Sequence, residues 1–296
     1  MVHVIDLEFL DLNLAIAVFL VETEDGLVLV ETGPHSCIKR IEKGIEALGF
    51  SMQDIKHVLL THIHLDHAGA AWAFANHGAT IYVHPFGQRH LADPSKLMKS
   101  ARRIYQDQMD RLWGEMHPIP VKQLVMVEDE VEITIGKVTF KSWHTPGHAV
   151  HHIAWQMNDI LFAGDVAGTR INKGLVIPPC PPPDINIEDW KKSIALIRTL
   201  DISKMYITHF GDITDIDAHL NDLEYRLEAW ANWIKPHWEA GKKPQEIVPI
   251  FQEYVKQDMR AHGTPEEEIA QSEAANPAWM SVAGLMRYWT KKTAKK

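Results

Sequence analysis

The chain has 296 residues, 46% of them hydrophobic, which is enough to bury a large core in one domain or two. Its net charge of −9 opposes a broad electrostatic attraction to nucleic acid or to an anionic membrane surface. The N-terminus lacks the pattern of a secretory signal, no stretch is apolar for long enough to cross a bilayer, and the two cysteines suit a reducing compartment, so a cytoplasmic protein is expected.

The first part of the chain is predicted to form a β-hairpin, a helix and a third strand. Residues 13–21 and 26–31 are apolar, β-branched runs on either side of a Thr-Glu-Asp-Gly turn. Isoleucines lie at helical spacing in residues 37–48, and Gly49 ends that pattern. Residues 55–61 read as the next strand, and a short helix of small residues follows the motif after it.

That motif is His-Ile-His-Leu-Asp-His, and it places His62, His64, Asp66 and His67 directly after the strand. Residues two apart in an extended loop project to one side, so His62 and His64 can hold one ion while Asp66 and His67 turn toward a second. A structural zinc site would normally use cysteine, whereas imidazole mixed with carboxylate suits an open catalytic site. The segment therefore predicts two neighbouring metal sites.

The remainder of the chain alternates short strands with helices. Residues 85–117 are predicted to form a mostly helical insertion beside the site, and short strands return over 121–163. The proline-rich segment 178–184 is expected to be a stiff loop, because proline removes backbone donors. Residues 204–209 are the last clear strand, and helices rich in tryptophan are expected from about residue 215 onward.

Three further ligand-type residues each follow a predicted strand or its turn. His148 comes after a Thr-Pro-Gly turn. Asp165 comes after Gly164, which directly follows a predicted strand, and His209 ends the last strand. Strand ends that converge on one edge of a sandwich position ligands rigidly, as a metal cluster requires. The sequence therefore predicts that these residues join the first motif.

With these motifs in order from about residue 13 to residue 211, the sequence resembles the metallo-β-lactamase superfamily, in the branch of glyoxalase II and the lactonases. The resemblance implies an α/β fold, a four-layer αββα sandwich with a helical insertion at about 85–117 and added C-terminal helices. Residues 1–214 are expected to form the catalytic domain. Residues 215–296 are expected to be a helical extension packed on the same domain.

The resemblance also implies seven metal ligands: His62, His64 and His148 for a first ion, Asp66, His67 and His209 for a second, and Asp165 as the bridge. Asp66 and His209 are the candidate catalytic residues. Glu31 stands where many members have aspartate before Thr-Gly, a position that supports the site rather than binding metal.

The expected activity is metal-dependent hydrolysis of a small ester, thioester or lactone by a hydroxide that bridges two divalent ions. Zinc is the expected metal, and iron and manganese are alternatives because all three accept imidazole and carboxylate ligands. Asp165 stands where secreted β-lactamases typically have cysteine, and His64 stands where the oxygen-reducing flavodiiron members have glutamate, so both branches are disfavoured.

Three other functions stay open. The same two-metal chemistry permits a phosphodiesterase or ribonuclease, although the acidic charge opposes nucleic acid as a partner. A persulfide dioxygenase with a single iron uses similar ligands. An inactive metal-binding scaffold is the alternative outside enzymes. The aromatic C-terminal helices either cap the pocket or form a homodimer contact, and capping within one chain is the preferred interpretation.

Several other residues are candidates with a competing structural interpretation. Among the remaining histidines, three beside His148 are expected to hydrogen-bond behind the ligands or within turns, and five elsewhere are assigned to the surface or to packing: His144, His151 and His152, then His84, His90, His117, His219 and His237. His152 is the best candidate for a supporting role. Four residues are candidates for the pocket wall, with Phe210 the strongest: Tyr105, Met109, Trp113 and Phe210. Three arginines are assigned to a solvated face rather than to substrate binding: Arg102, Arg103 and Arg170.

Overall fold

The computed structural model describes residues 1–294 and contains two six-stranded sheets, in each of which strands that are consecutive in sequence lie side by side. The first sheet consists of β1 (Val2–Asp6), β2 (Ala17–Thr23), β3 (Gly26–Val30), β4 (Ile55–Leu59), β5 (Thr80–Val83) and β6 (Leu124–Met126). The second consists of β7 (Glu132–Ile135), β8 (Val138–His144), β9 (Ile153–Met157), β10 (Ile160–Phe162), β11 (Lys204–Ile207) and β12 (Gly211–Ile213).

Each sheet combines antiparallel and parallel pairs. In the first sheet β1 to β3 are antiparallel neighbours and β3 to β6 run parallel. In the second sheet all neighbours are antiparallel except the parallel pair β10 and β11. Crossover segments from parallel strands place helices on the outer faces.

The helices described within residues 1–294 are α1 (Ile38–Ala47), α2 (Leu65–Ala68), α3 (Ala71–Asn76), α4 (Pro85–Ala92), α5 (Ser95–Tyr105), α6 (Met109–Leu112), α7 (Ile187–Ile197), α8 (Ile216–Glu239), α9 (Pro244–Ala261), α10 (Glu266–Ala275) and α11 (Ala278–Ala294). None of these helices is both long enough and apolar enough to cross a membrane.

The alternation of side chains along the strands builds a sandwich of four layers. On β2, Phe19 and Val21 point into the apolar cluster between the sheets, whereas Val18 and Leu20 point outward to the helices that cover the first sheet. The outer face of the second sheet packs against α7 to α9 and α11 in a third apolar cluster. The predicted αββα sandwich with added C-terminal helices is thus confirmed.

Two edge strands were not predicted from the sequence. β1 has one buried residue among five and β12 is three residues long, so neither carries a strong apolar pattern. The segment 121–127 is a strand only over Leu124–Met126, because a 3₁₀ turn at Val121–Gln123 follows Pro120. The first strand of the hairpin begins at Ala17 rather than at Asn13.

The C-terminal helices lie against the second sheet and its helix α7. Trp230 of α8 and Phe251 of α9 are buried with their ring centroids 5.0 Å apart, and α11 contacts both helices. Aromatic burial of this kind supplies much of the packing energy of such a layer. The division of the chain at residue 214 stays a prediction, and α8 begins at Ile216.

Candidate metal centre

The His-Ile-His-Leu-Asp-His segment joins β4 to the helices that follow it. His62 and His64 lie in the extended part, and His64 has φ −62° and ψ 154° just before α2 begins. Asp66 and His67 lie in the first turn of α2, where the chain changes direction. This change of direction divides the four side chains between two neighbouring groups.

The first group consists of three histidines. The Nδ1 atom of His64 lies 2.9 Å from Nε2 of His62 and 3.0 Å from Nε2 of His148. His148 reaches this position from the Thr-Pro-Gly turn that follows β8, and both His62 and His148 are buried. Three ring nitrogens therefore meet at one point, all within 4.8 Å of one another.

The second group consists of Asp66, His67 and His209, whose ligand atoms also lie within 4.8 Å of one another. The Nε2 atoms of His67 and His209 lie 3.6 Å and 3.5 Å from Oδ2 of Asp66. Asp165 stands between the two groups: its Oδ1 is 3.3 Å from Nε2 of His67, and its Oδ2 is 3.3 Å from Nε2 of His148. We call these seven residues the strand-end cluster.

Gly164 makes the approach of Asp165 possible. Its φ of +52° lies in the left-handed region, and a Cβ atom there would lie 2.7 Å from Oγ1 of Thr61 and 2.9 Å from Nε2 of His152. Any larger residue would push the turn after β10 away from the segment that carries His62. The glycine therefore fixes the position of the aspartate between the groups.

Two histidines of the cluster are oriented by backbone carbonyls. Nδ1 of His148 lies 2.9 Å from the carbonyl oxygen of Pro179, and Nδ1 of His209 lies 2.6 Å from that of Ala15. A carbonyl can only accept, so each Nδ1 carries the proton and each Nε2 keeps a free lone pair that faces the cluster. Sequence reasoning missed both partners, since a backbone carbonyl leaves no signal in residue identity.

Glu31 contacts His67 directly and His62 through the Thr61 hydroxyl. Its carboxylate accepts from the Thr61 hydroxyl and lies 3.2 Å from Nδ1 of His67. Nδ1 of His62 in turn lies 3.0 Å from the same hydroxyl. Glu31 also lies within ligand distance of His62 and His67. Because it meets His67 on the Nδ1 side, away from Asp66 and Asp165, Glu31 occupies a supporting position behind the ring.

The cluster contains buried polar atoms that a cation would satisfy. Nε2 of His67 and Oδ1 of Asp165 are both buried and lie 3.3 Å apart, but neither makes a well-aligned hydrogen bond to any of residues 1–294. Buried polar atoms without partners are costly, and their occurrence within a group of ligand-type side chains calls for an explanation. The residues present therefore fit a bound divalent metal.

The electrostatics of the cluster point the same way. Burial and the neighbouring His148 lower the pKa of His64 to about 3, so its ring stays neutral with a lone pair to donate. Burial alone would lower the pKa of His67, but Asp165, Asp66 and Glu31 raise it well above its usual value. The carboxylates around His67 thus create a demand for positive charge that a metal ion can meet.

The neighbouring histidines lie outside the cluster. Nδ1 of His152 lies 2.8 Å from the Thr145 hydroxyl, and Nε2 lies 3.4 Å from the Val166 amide, so the ring supports the turn after Asp165. His151 is buried with its ring centroid 5.8 Å from that of His64. His144 is half-buried, and its Nε2 atom lies 3.0 Å from the carbonyl oxygen of Val127.

The strand-end cluster opens into a cavity of about 220 Å³. His64, Asp66, His148, Asp165 and His209 lie at its base. Leu65 lies among them, and the other lining residues, which we call the cavity wall, are predominantly apolar and come from four parts of the chain: 9–16, the insertion 97–113, the proline-rich loop 179–183 and the C-terminal segment 274–280.

Of the four residues that the sequence offered for the pocket wall, two line the cavity and two do not. Tyr105 and Trp113 line the cavity, whereas Met109 is buried in the core behind it and Phe210 packs against the apolar cluster between the sheets. Trp279 and Met280 of the C-terminal helices also line the cavity; the sequence favoured these helices as a cap but assigned neither residue to the wall. Their place depends on how α11 returns to the site, and local pattern does not encode that.

The three candidate arginines lie outside the cavity lining. Arg170 makes an ion pair with Asp215 at 2.8 Å, and Arg102 makes one with Asp110 at 3.3 Å. Arg103 is exposed. The Arg102 pair is exposed and contributes little to stability, whereas the Arg170 side chain is only 14% exposed and so does not lie on the solvated face expected for it.

A fold of this kind, with histidine and aspartate at one edge of a sandwich, defines a class of metal-binding protein. A family model described as the metallo-beta-lactamase superfamily matches residues 13–209. The chain belongs to this superfamily, and the resemblance read from the motifs is confirmed.

Individual relatives agree with this assignment. The chain is 32% identical over 193 residues to the metallo-beta-lactamase fold-containing protein ST1585 of Sulfurisphaera tokodaii, covering 62% of this chain and 72% of the relative. It is 24% identical over 186 residues to an N-acyl homoserine lactonase of Bacillus thuringiensis, covering 54% and 67%. The crystal structure of the metallo-beta-lactamase family protein TTHA1429 from Thermus thermophilus aligns with a TM-score of 0.70 at 20% identity, covering 99% of this chain and 94% of that one, which shows a shared fold.

Proposed function

We propose that the protein is a binuclear metallohydrolase that cleaves a small ester, thioester or lactone. The observation that carries the proposal is the pair of three-residue groups joined by Asp165 at the base of an apolar cavity. His62, His64 and His148 would hold one ion, Asp66, His67 and His209 the other, and Asp165 both. The likeness to a protein named N-acyl homoserine lactonase supports a lactone among the candidate substrates.

Divalent ions in such a site acidify a coordinated water and polarise the substrate carbonyl. In the overall reaction the oxygen of water bonds to the acyl carbon, the acyl–oxygen or acyl–sulfur bond breaks, and an acid and an alcohol or thiol result. Zinc is the metal we propose, because a site dominated by imidazole with two carboxylates suits it.

The residues of the chain orient the reacting groups and handle the proton. The carbonyls of Ala15 and Pro179 and the carboxylate of Glu31 keep His209, His148 and His67 in the tautomer whose Nε2 faces the cluster. The Asp66 side chain is 20% exposed at the base of the cavity. His67 and His209 outweigh its burial and lower its pKa to about 2, so it is ionised near neutral pH and can orient the proton of a bound water by accepting its hydrogen bond.

The experiment that tests the proposal is elemental analysis of protein purified without added metal, beside the His64→Ala variant. Close to two ions per chain, reduced in the variant, together with turnover in an ester, thioester and lactone screen, is the expected result. One iron per chain would favour the dioxygenase alternative. Protein that takes up no metal even on reconstitution would overturn the proposal.

A phosphodiester screen is the matched comparison for the substrate. Among the described residues that line the cavity, none is a lysine or an arginine, the side chains that usually bind phosphate. We therefore expect turnover of phosphodiesters to be absent or far below that of carboxylic esters. The reverse ranking would replace the esterase or lactonase with a phosphodiesterase on the same metal site.

A further inference from the structure

One face of α5 in the helical insertion is turned toward the cavity. Leu97, Ala101 and Ile104 follow one another at helical spacings of four and three, and all three line the cavity. An apolar helix face normally packs into a core, but part of this one borders an open space, and Ile104 remains 42% exposed. Such a surface suits an apolar ligand.

The insertion and the C-terminal helix meet above the cluster. The ring centroids of Tyr105 and Trp279 lie 5.8 Å apart with their planes nearly perpendicular, and the Tyr105 hydroxyl donates to Sδ of Met280 at 3.6 Å. Tyr105 also contacts the Trp113 ring at 5.2 Å. Aromatic and thioether groups from separate parts of the chain thus enclose the upper part of the cavity.

The proline-rich loop forms another side of the wall and offers few polar groups to a ligand. Pro181, Pro182 and Pro183 have no backbone N–H to donate. The Pro183 carbonyl is already occupied, since it accepts from Nε of Arg287 at 3.2 Å and from Nζ of Lys291 at 2.6 Å. The loop therefore contributes mainly apolar surface.

Among the described lining residues, the charged side chains of the cavity all belong to the strand-end cluster. The carboxylates that line it are Asp66 and Asp165, and within the described lining no lysine or arginine balances them at the wall. A substrate chain that ended in a carboxylate or phosphate would lose its hydration against the wall without gaining a cationic partner there.

We infer that the cavity wall is an acyl-binding site, and that the natural substrate carries an uncharged, predominantly aliphatic acyl chain of about six carbons or more. The inference rests on the proposed function, because the cluster must then act on the carbonyl at the base of the cavity. An engineered apolar cavity of about 150 Å³ holds benzene, so the cavity of about 220 Å³ has room for a chain of this size. Burial of each methylene favours binding about fourfold.

The test combines a chain-length series with a neutral probe that is not hydrolysed. For the metal-loaded full chain we expect kcat/KM for p-nitrophenyl esters to rise about fourfold per methylene from acetate to hexanoate. The glutarate monoester, which ends in a carboxylate, should be at least tenfold poorer than the hexanoate ester. Hexanamide should bind in isothermal titration, whereas acetamide should bind at least tenfold more weakly.

Two wall variants on different helices accompany the series. Met280→Arg introduces a charge from α11, and Ala101→Phe fills the cavity from α5, and each should weaken hexanamide binding at least tenfold. Ile250→Arg is the matched control: Ile250 is an apolar helix residue, 42% exposed on α9 and outside the cavity lining, and its variant should bind hexanamide as the wild type does. Equal thermal midpoints establish that each variant is folded.

The two proposals fail in different ways. Ester hydrolysis that is independent of chain length, with hexanamide no tighter than acetamide, would overturn the acyl site and leave the hydrolase. Hexanamide binding that follows the variants, in a protein that hydrolyses no ester, thioester or lactone, would keep the acyl site and overturn the hydrolase. Hexanamide binding unchanged in both wall variants would place the probe elsewhere and overturn the acyl site.

Discussion

The strand-end cluster and the cavity wall share one space but are built in opposite ways. Ligand-type side chains of the cluster follow β4, β8, β10 and β11, and the Nδ1 atoms of His148, His209 and His67 lie against buried acceptors. The wall comes from segments inserted between strands or added after the last one, and it is predominantly apolar. Strand ends in a sandwich fix geometry, whereas inserted helices and loops change shape without disturbing the sheets. We therefore expect the strand-end cluster to carry the chemistry and the cavity wall to determine which substrates bind.

The substitution Asp165→Asn is expected to have the largest effect on the cluster while leaving ligand binding at the wall nearly unchanged. Asp165 contacts both metal-binding groups, so the substitution should lower metal content and reduce ester turnover at least about 100-fold. Hexanamide binding should change by less than about threefold, because the wall is intact. Elemental analysis, kinetics and titration measure the three quantities. Asp201→Asn, an exposed aspartate outside both regions, is the control, and loss of probe binding in the Asp165 variant would remove the distinction.

A second substitution, in the C-terminal helix, should affect both the cavity wall and the strand-end cluster. Gly284 of α11 is buried, and a Cβ atom there would lie 1.9 Å from the Cys180 carbonyl oxygen, so Gly284→Val must displace the proline-rich loop. The loop carries the Pro179 carbonyl that orients His148. We expect kcat/KM for hexanoate esters to fall about 10- to 100-fold, with weaker metal retention during dialysis, because the carbonyl that orients His148 is displaced. Overpacking should also lower the free energy of unfolding by about 1–3 kcal/mol.

The control for that substitution lies next to it on the same helix. Ala283→Val introduces the same β-branched residue at a half-buried position, and it accounts for the small loss of helix propensity. Similar losses in both variants would show that α11 as a whole is sensitive. An effect on Gly284→Val without any change in metal retention would confine the loop to selectivity.

A pH-dependent contribution to stability is expected where α8 meets the turn after Asp165. Burial lowers the pKa of His219 to about 4, and its Nε2 lies 2.7 Å from the Ala167 carbonyl oxygen. The folded state therefore keeps His219 neutral, while the unfolded state takes up a proton as the pH falls through about 6.5. The contribution is complete above pH 6.5 and is lost as the pH falls toward about 4.

Urea unfolding at pH 7 and pH 5 measures this contribution. We expect the wild type to lose about 2 kcal/mol more of its free energy of unfolding than His219→Gln does over this interval. The comparison cancels the histidines of the cluster, which both proteins share. An equal loss in the two proteins would show that this contact does not exclude the proton.

The smallest effect is expected from Tyr105→Phe, which removes a hydroxyl from an otherwise apolar part of the wall. Its present acceptor is the Met280 thioether, a weak one, so the hydroxyl is free to donate to a substrate oxygen. Loss of one such bond should reduce kcat/KM about three- to tenfold and leave metal content unchanged. Unchanged kinetics would show that Tyr105 acts only through its ring.

The sequence by itself determined the sandwich and the composition of the cluster. The apolar, β-branched runs of β2 and β3 and the motif after β4 are local features, and the order of the motifs carries the resemblance that implies the sandwich. The structure brings all seven residues expected at the cluster together, and their roles as ligands stay a prediction. Edge strand β1 was missed because only one of its five residues is buried, and edge strand β12 was missed because three residues are too few to show a pattern.

Only the tertiary structure decided what surrounds the cluster. The carbonyls of Ala15 and Pro179 orient histidines far from them in sequence, and no residue type signals a backbone acceptor. The helical spacing in α5 predicts an apolar face, but it does not determine whether that face packs into a core or lines a cavity. The approach of Trp279 to Tyr105 depends on where α11 ends its path across the second sheet, and such long-range packing is settled by the fit of the whole chain rather than by any local segment.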